Sequence, residues 1–152
     1  MFIKIVKFIL LVFWMMFIFS LSSDNGDIST KKSDNFIIKI VEVLSQKTLS
    51  DSEKEKWTTY LVVPVRKSAH LFVYLILGLL VYSFITEFMM NGYKVFLLSS
   101  SLSFLYACSD EFHQMFVSGR SGQISDVILD CFGALLGILI FKFMVERKKK
   151  YE

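Results

Sequence analysis

Residues 109–130 read SDEFHQMFVSGRSGQISDVILD and join two segments that are otherwise apolar enough to cross a bilayer. Asp110, Glu111, His113, Arg120, Asp126 and Asp130 all fall inside this stretch. A carboxylate at the edge of hydrocarbon is costly unless it is solvated, paired or used. The stretch therefore marks where one membrane helix ends and the next begins, and its polar groups need partners or a task.

The surroundings are read as membrane from composition. Of 152 residues, 54% are hydrophobic and 16% aromatic, and the mean hydropathy is +0.54, more apolar surface than a soluble domain of this size covers. A single proline leaves room for long helices. The net charge of +3 is modest, and the basic residues concentrate in loops and in the C-terminal RKKKYE, where they suit anionic lipid headgroups. No nucleic-acid partner is indicated. Cys108 and Cys131 have neither metal-finger spacing nor the density of a secreted disulfide scaffold. They read as small buried residues, the alternative being a disulfide between the ends of neighbouring spans.

The expectation is an all-α integral membrane bundle of about four transmembrane helices, forming one domain over residues 1–152. The spans fall at about 2–21, 67–85, 94–109 and 124–145, close to the ~20 residues that cross hydrocarbon. The first has Lys4 and Lys7 at its start; Ser20 and Ser22 also fit a cleaved signal peptide, but its long aromatic core favours a retained span. Residues 22–65 form an extracytoplasmic polar loop in which Ile37, Ile40, Val41 and Leu44 recur at helical spacing, with Trp57 and Tyr60 just before Pro64. One or two amphipathic helices lying on the membrane are expected there. Asn91-Gly92 marks the reversal between the second and third spans. Arg147, Lys148, Lys149 and Lys150, with Lys4, Lys7 and Lys94, place both termini in the cytoplasm, so that the loop and the charged stretch face outward across the cell membrane.

Helical periodicity sorts the polar residues onto faces. Ser99, Ser103, Tyr106 and Asp110 share one stripe of the third span, which His113 and Gln114 continue. Gln123, Asp126 and Asp130 share a face of the fourth, prolonged by the small residues Gly133 and Gly137 that let a neighbouring helix approach. Lys67, His70 and Tyr74 align in the second, followed by Gly78. All three faces lie at one membrane level. They predict a water-accessible pocket lined by Lys67, His70, Asp110, Glu111, His113, Gln114, Arg120, Asp126 and Asp130, with His113 and Asp126 nearest its centre and the Gly-flanked Arg120 loop over the top. The competing reading is that ion pairs such as Lys67 with Asp126 merely lock the helices together.

RKSAH with the following FVYLILG, at 66–78, and SDEFHQMFVSGRSGQISDVILDCFGALLG, at 109–137, carry a resemblance to the VanZ-like family of small membrane proteins. The founding member of that family accompanies glycopeptide resistance and is associated with teicoplanin tolerance. The resemblance implies a small bundle of four or so spans and a phenotype, not a reaction.

Three uses of the pocket follow. In the first, a non-catalytic envelope protein changes how a glycopeptide or the lipid-linked cell-wall precursor it targets sits among membrane lipids. In the second, an intramembrane hydrolase or transferase acts on a lipid-linked envelope substrate: His70, Asp110, His113, Asp126 and Asp130 are candidate metal ligands, Glu111, His113 and Asp126 candidate acid/base groups, and Lys67 or Arg120 a clamp for negative charge. No cofactor is required, and a divalent metal is the one these donors would suit. The third, a transport or proton relay along the serine stripe, lacks an ionisable group to continue it inward. The residues leave open whether any reaction is catalysed, and they do not fix the oligomeric state.

Overall fold

Short polar side chains decide where the helices begin. The first N–H groups of a helix lack intrahelical acceptors, and a side-chain oxygen just upstream can supply one. Asn25 does so for α2 (Gly26–Ser45), its Oδ1 accepting from the Ile28 N–H at 2.8 Å. Asn91 opens α4 (Gly92–Gln114) by accepting from the N–H groups of Tyr93 and Lys94 at 3.0 and 3.1 Å. At the start of α3 (Asp51–Ile85) the Glu53 carboxylate reaches back to the Ser50 N–H at 3.0 Å. With α1 (Phe2–Ser22) and α5 (Ile124–Tyr151) these make an all-helical chain, with no strand among the described residues. The structure is a computed structural model that describes residues 1–151, with side chains through Arg147. The side chains of Lys148, Lys149 and Lys150, expected to form the basic tail, lie outside the described residues.

The chain is a membrane helical bundle, but α1, α3 and α5 are the three helices long and apolar enough to cross a bilayer. The expected count of about four is reduced because α4 carries Ser99, Ser100, Ser101 and Ser103 mid-helix and Asp110 and Glu111 near its end. Ser99 and Ser103 are buried, whereas Leu97, Leu102, Phe104 and Leu105 are exposed. The polar loop contains an amphipathic helix, as expected, but its second half differs. Its first half is α2, an amphipathic helix that buries Ile37 and packs against α3. Its second half is the start of α3 itself, which runs unbroken through Pro64. The proline removes the bond its missing N–H would have made and its ring crowds the carbonyl four residues back, yet the helix continues through it from a start capped by Ser50 and Glu53.

Packing against α3 organises the rest. Lys67 pairs with Asp126, His70 faces Asp130, and a Cβ on Gly133 or Gly137 would strike the backbone of Leu71 or Leu75. These pairings advance together, so α3 and α5 run parallel. Gly78 likewise meets the Ala134 carbonyl, and only a residue without a side chain permits that approach. Between membrane helices lipid is as apolar as leucine, so such close van der Waals contact supplies the association. Below this level Tyr74, Leu77 and Val81 of α3 are buried with Ile18, Val95, Ala107 and Ile138. α1 lies antiparallel on α3: the Trp14 indole N–H donates to the Val73 carbonyl at 2.9 Å, and Lys7 reaches the Ser83 carbonyl and Glu87 near the far end. Cys108 and Cys131 are free thiols.

Candidate functional site

Asp110, in the last turns of α4, is the hub at the polar end of the bundle. Its Oδ2 accepts from the Ser22 hydroxyl of α1 at 2.9 Å, the Tyr74 hydroxyl of α3 at 3.1 Å and the Gln114 amide at 3.2 Å. All four residues are buried. A carboxylate accepts several donors through one oxygen, which is why Asp at this position can tie three helices where an apolar residue could not. Its other oxygen, Oδ1, is buried with no hydrogen-bond partner.

A second carboxylate without hydrogen-bond partners lies close by. Asp130 of α5 is 1% exposed, and neither of its oxygens has a hydrogen-bond partner. His70 Nδ1 lies 3.7 Å from Asp130 Oδ1, beyond hydrogen-bond reach, and is itself buried and unpartnered. One ligand-capable atom each from His70, Asp110 and Asp130 fall within 4.8 Å of one another. This is the one set of three or more candidate metal-ligating side chains gathered so closely among the described residues.

Beside the trio opens a polar cleft of about 70 Å³, lined by Arg66, Lys67, His70, Gln114, Arg120, Gln123 and Asp126. Lys67 and Asp126 pair across it at 2.7 Å. A larger, mainly apolar groove of about 680 Å³ runs between α1, α2 and α3, with Ile18, Leu21, Phe36, Val65, Phe72 and Val73 among its walls. Arg66, His70 and Arg120 line both spaces, so the two meet at a pair of cations and an imidazole.

The connection between α4 and α5 is held down rather than loose. Gly119, at φ +74°, takes a backbone conformation that side chains disfavour, and the turn it makes lets the Gly26 N–H donate to the Ser118 carbonyl at 3.0 Å. Arg120 then spends its planar fork on three acceptors: the Asp24 carbonyl at 2.9 Å, the Leu21 carbonyl at 3.0 Å and Gln114 Oε1 at 3.0 Å. Burial, and after it the neighbouring Arg66, hold the Arg120 guanidinium below its usual proton affinity. Neither arginine has an ion-pair partner among the described residues. Glu111 faces the start of α5, its carboxylate accepting from the Gln123 N–H at 2.6 Å.

The structure thus gathers Lys67, His70, Gln114, Arg120 and Asp126 around the cleft and puts Asp110 and Asp130 behind it. His113 stands apart. Its ring stacks on Phe19 at 4.4 Å between centroids, and its Nε2 is 3.2 Å from the Ser23 hydroxyl. His113 and Gln114 are neighbours on a helix, so they diverge by about 100°, and it is Gln114 that turns inward. Asp126 lines the cleft, paired with Lys67, while the closely gathered ligand-capable groups are Asp110, Asp130 and His70 and include neither His113 nor Asp126. The candidate ligand set contracts accordingly, losing His113 and Asp126. Periodicity had grouped Tyr74 with Lys67 and His70 without giving it a role. Ser22 was read only as a signal-peptide feature, Gln123 was placed on the face of Asp126 and Asp130 but left out of the pocket, and Arg66 was missed. Arg66, adjoining Lys67 at the mouth of a span, also had a visible signal.

A family model described as VanZ/LLP1 matches residues 7–145, most of the chain and all the residues of this site. No curated protein and no solved structure matches.

Proposed function

This chain belongs to the VanZ/LLP1 family, and from that premise we propose that it is a multi-pass protein of the cell membrane that binds the anionic headgroup of a lipid-linked envelope molecule. In this reading the cleft faces outward and both termini are cytoplasmic. The consequence for the cell is lowered susceptibility to teicoplanin-type glycopeptides, whose target is such a precursor. One observation carries the reading: an apolar groove between α1, α2 and α3 whose lining includes Arg66 and Arg120, two cations without ion-pair partners among the described residues. A lipid tail would lie along the groove while a phosphate meets the planar Arg66 guanidinium and the N–H groups that Arg120 has left beyond its three acceptors, the geometry arginine is suited to. Binding an anion there would also relieve the mutual repulsion of the two arginines.

The test is expression in a teicoplanin-susceptible host with a reporter fused to the C-terminus. Raised teicoplanin tolerance, lost in Arg66→Gln while membrane abundance is kept, is the expected outcome. Unchanged tolerance on expression of the wild type, or an Arg66→Gln variant as effective as wild type, would remove the reading. A reporter active only outside the cell would reverse the orientation. A second reading, an intramembrane hydrolase or transferase on the same class of lipid, is favoured by the buried trio behind the cleft.

A further inference from the structure

We infer that His70, Asp110 and Asp130 form a binding site for one divalent transition-metal ion, Zn²⁺ or Mn²⁺, at the floor of the polar cleft. The first support is electrostatic. Two carboxylates buried to 3% and 1% exposure present three oxygens without a donor, and such groups are expensive to bury unless something compensates them. Lys67 is engaged by Asp126 and Arg120 by carbonyl oxygens and Gln114, so neither cation serves them.

The second support is what each donor leaves free. Asp110 has one oxygen held by Ser22, Tyr74 and Gln114 and the other buried without a partner. Metal-binding carboxylates are commonly fixed in this way, one atom oriented by outer hydrogen bonds and the other given to the ion. His70 offers an unpartnered Nδ1, and Asp130 offers either oxygen. With bonds of about 2.0–2.2 Å, ligand atoms around one ion sit roughly 3–4 Å apart. The observed 4.8 Å limit therefore closes with side-chain movement of less than about 1 Å. One imidazole and two carboxylates suit zinc or manganese and leave coordination positions open. His70 also lines the polar cleft, so the open side can receive water or a phosphate oxygen.

The inference stands without the lipid reading, because the metal is measured in detergent with no lipid ligand added. The full chain is purified, stripped with a chelator, exposed separately to Zn²⁺ and Mn²⁺, desalted and analysed for metal and thermal stability. The expected result is about one equivalent of one of the two ions per chain, with a raised midpoint of unfolding. His70→Gln and Asp130→Asn should each weaken binding at least tenfold, and Tyr74→Phe, which loosens Asp110, by a smaller factor. His113→Gln, outside the cleft, should keep the full equivalent. Wild-type protein that holds no stoichiometric ion and gains no stability overturns the inference, since it needs no variant to fold. So does an Asp130→Asn variant that binds as tightly as wild type, or a His113→Gln variant that loses the ion equally.

Discussion

Replacing Asp110 by alanine and by asparagine should give two very different proteins. Alanine leaves the hydroxyls of Ser22 and Tyr74 and the Gln114 amide without their shared acceptor, and Ser22 and Tyr74 are 0% exposed. A buried donor that loses its partner costs about 1–3 kcal/mol. Three such donors sum to roughly 3–9 kcal/mol, and relaxation of the Gln114 side chain brings the expected loss to about 3–5 kcal/mol. Asparagine presents a carbonyl oxygen at the same place and should lose only about 1–2 kcal/mol, the difference between a charged and a neutral acceptor. The assay is unfolding of the detergent-solubilised protein in increasing SDS, followed by Trp14 and Trp57 fluorescence. Adding Tyr74→Phe separates the mechanism from simple cavity formation. In the Asp110→Ala background Phe removes an orphaned hydroxyl and should cost at least 1 kcal/mol less than it does in wild type. An Asp110→Ala protein within about 1 kcal/mol of wild type, or a cycle with no coupling, would refute the hub as the link between α1, α3 and α4.

Other consequences are direct. Gly137→Ala pushes a methyl group into the Leu75 backbone and should destabilise the bundle by about 1–3 kcal/mol in the same assay, whereas Gly92→Ala, where a Cβ meets nothing, should be nearly neutral. His113→Gln loses a ring stacked on Phe19 outside the cleft, so it should cost about 1 kcal/mol and leave any change in glycopeptide susceptibility intact. The hydrogen bond from Lys7, with nearby positive charge, holds the Glu87 carboxyl below its ordinary range. Because a depressed carboxyl lends stability that is present above its unfolded value and lost as pH falls through the folded one, the tie between α1 and the α3–α4 turn should weaken under acid conditions. Glu87→Gln should flatten the fall in melting temperature between pH 6 and pH values below the usual carboxylate range, about 4.

The helices were legible in the sequence because their signals are local. Runs of apolar residues gave the spans, Asn91-Gly92 gave the reversal, and Gly133 and Gly137 lay on the face of Asp126 and Asp130 as their spacing requires. Two local signals misled. Pro64 suggested a boundary, yet one missing N–H does not end a helix that is capped at Ser50 and packed along α2. Asp110 to Gln114 suggested a shared polar face, yet consecutive residues cannot all point inward, and which of His113 and Gln114 did so was decided by Ser22 and Arg120 from elsewhere in the chain. Contacts of that kind span about ninety positions and leave no periodic trace: Ser22 with Asp110, Arg120 with Asp24 and Leu21.

The position of the buried acids follows from the register of α3 on α5, and that register is set by residues with no polar chemistry. Gly133 admits the Leu71 backbone and Gly137 that of Leu75. Asp130 lies three residues before Gly133, about 4.5 Å up the helix at 1.5 Å per residue, and His70 is the neighbour of Leu71. The close approach at the glycines therefore dictates that His70 and Asp130 face each other. A slip of one turn would move Asp130 by about 5.4 Å and leave it in apolar surroundings, so the glycine contact and the polar site stabilise the same alignment. Helix separation at Gly137 should then be felt two turns away. Gly137→Ala is expected to weaken whatever His70, Asp110 and Asp130 hold, although it touches none of them. Site function lost in step with the α3–α5 spacing would mark the small-residue interface as the scaffold of the site, and an intact site in a splayed bundle would show that its residues are aligned from above, by Ser22 and the Arg120 clamp.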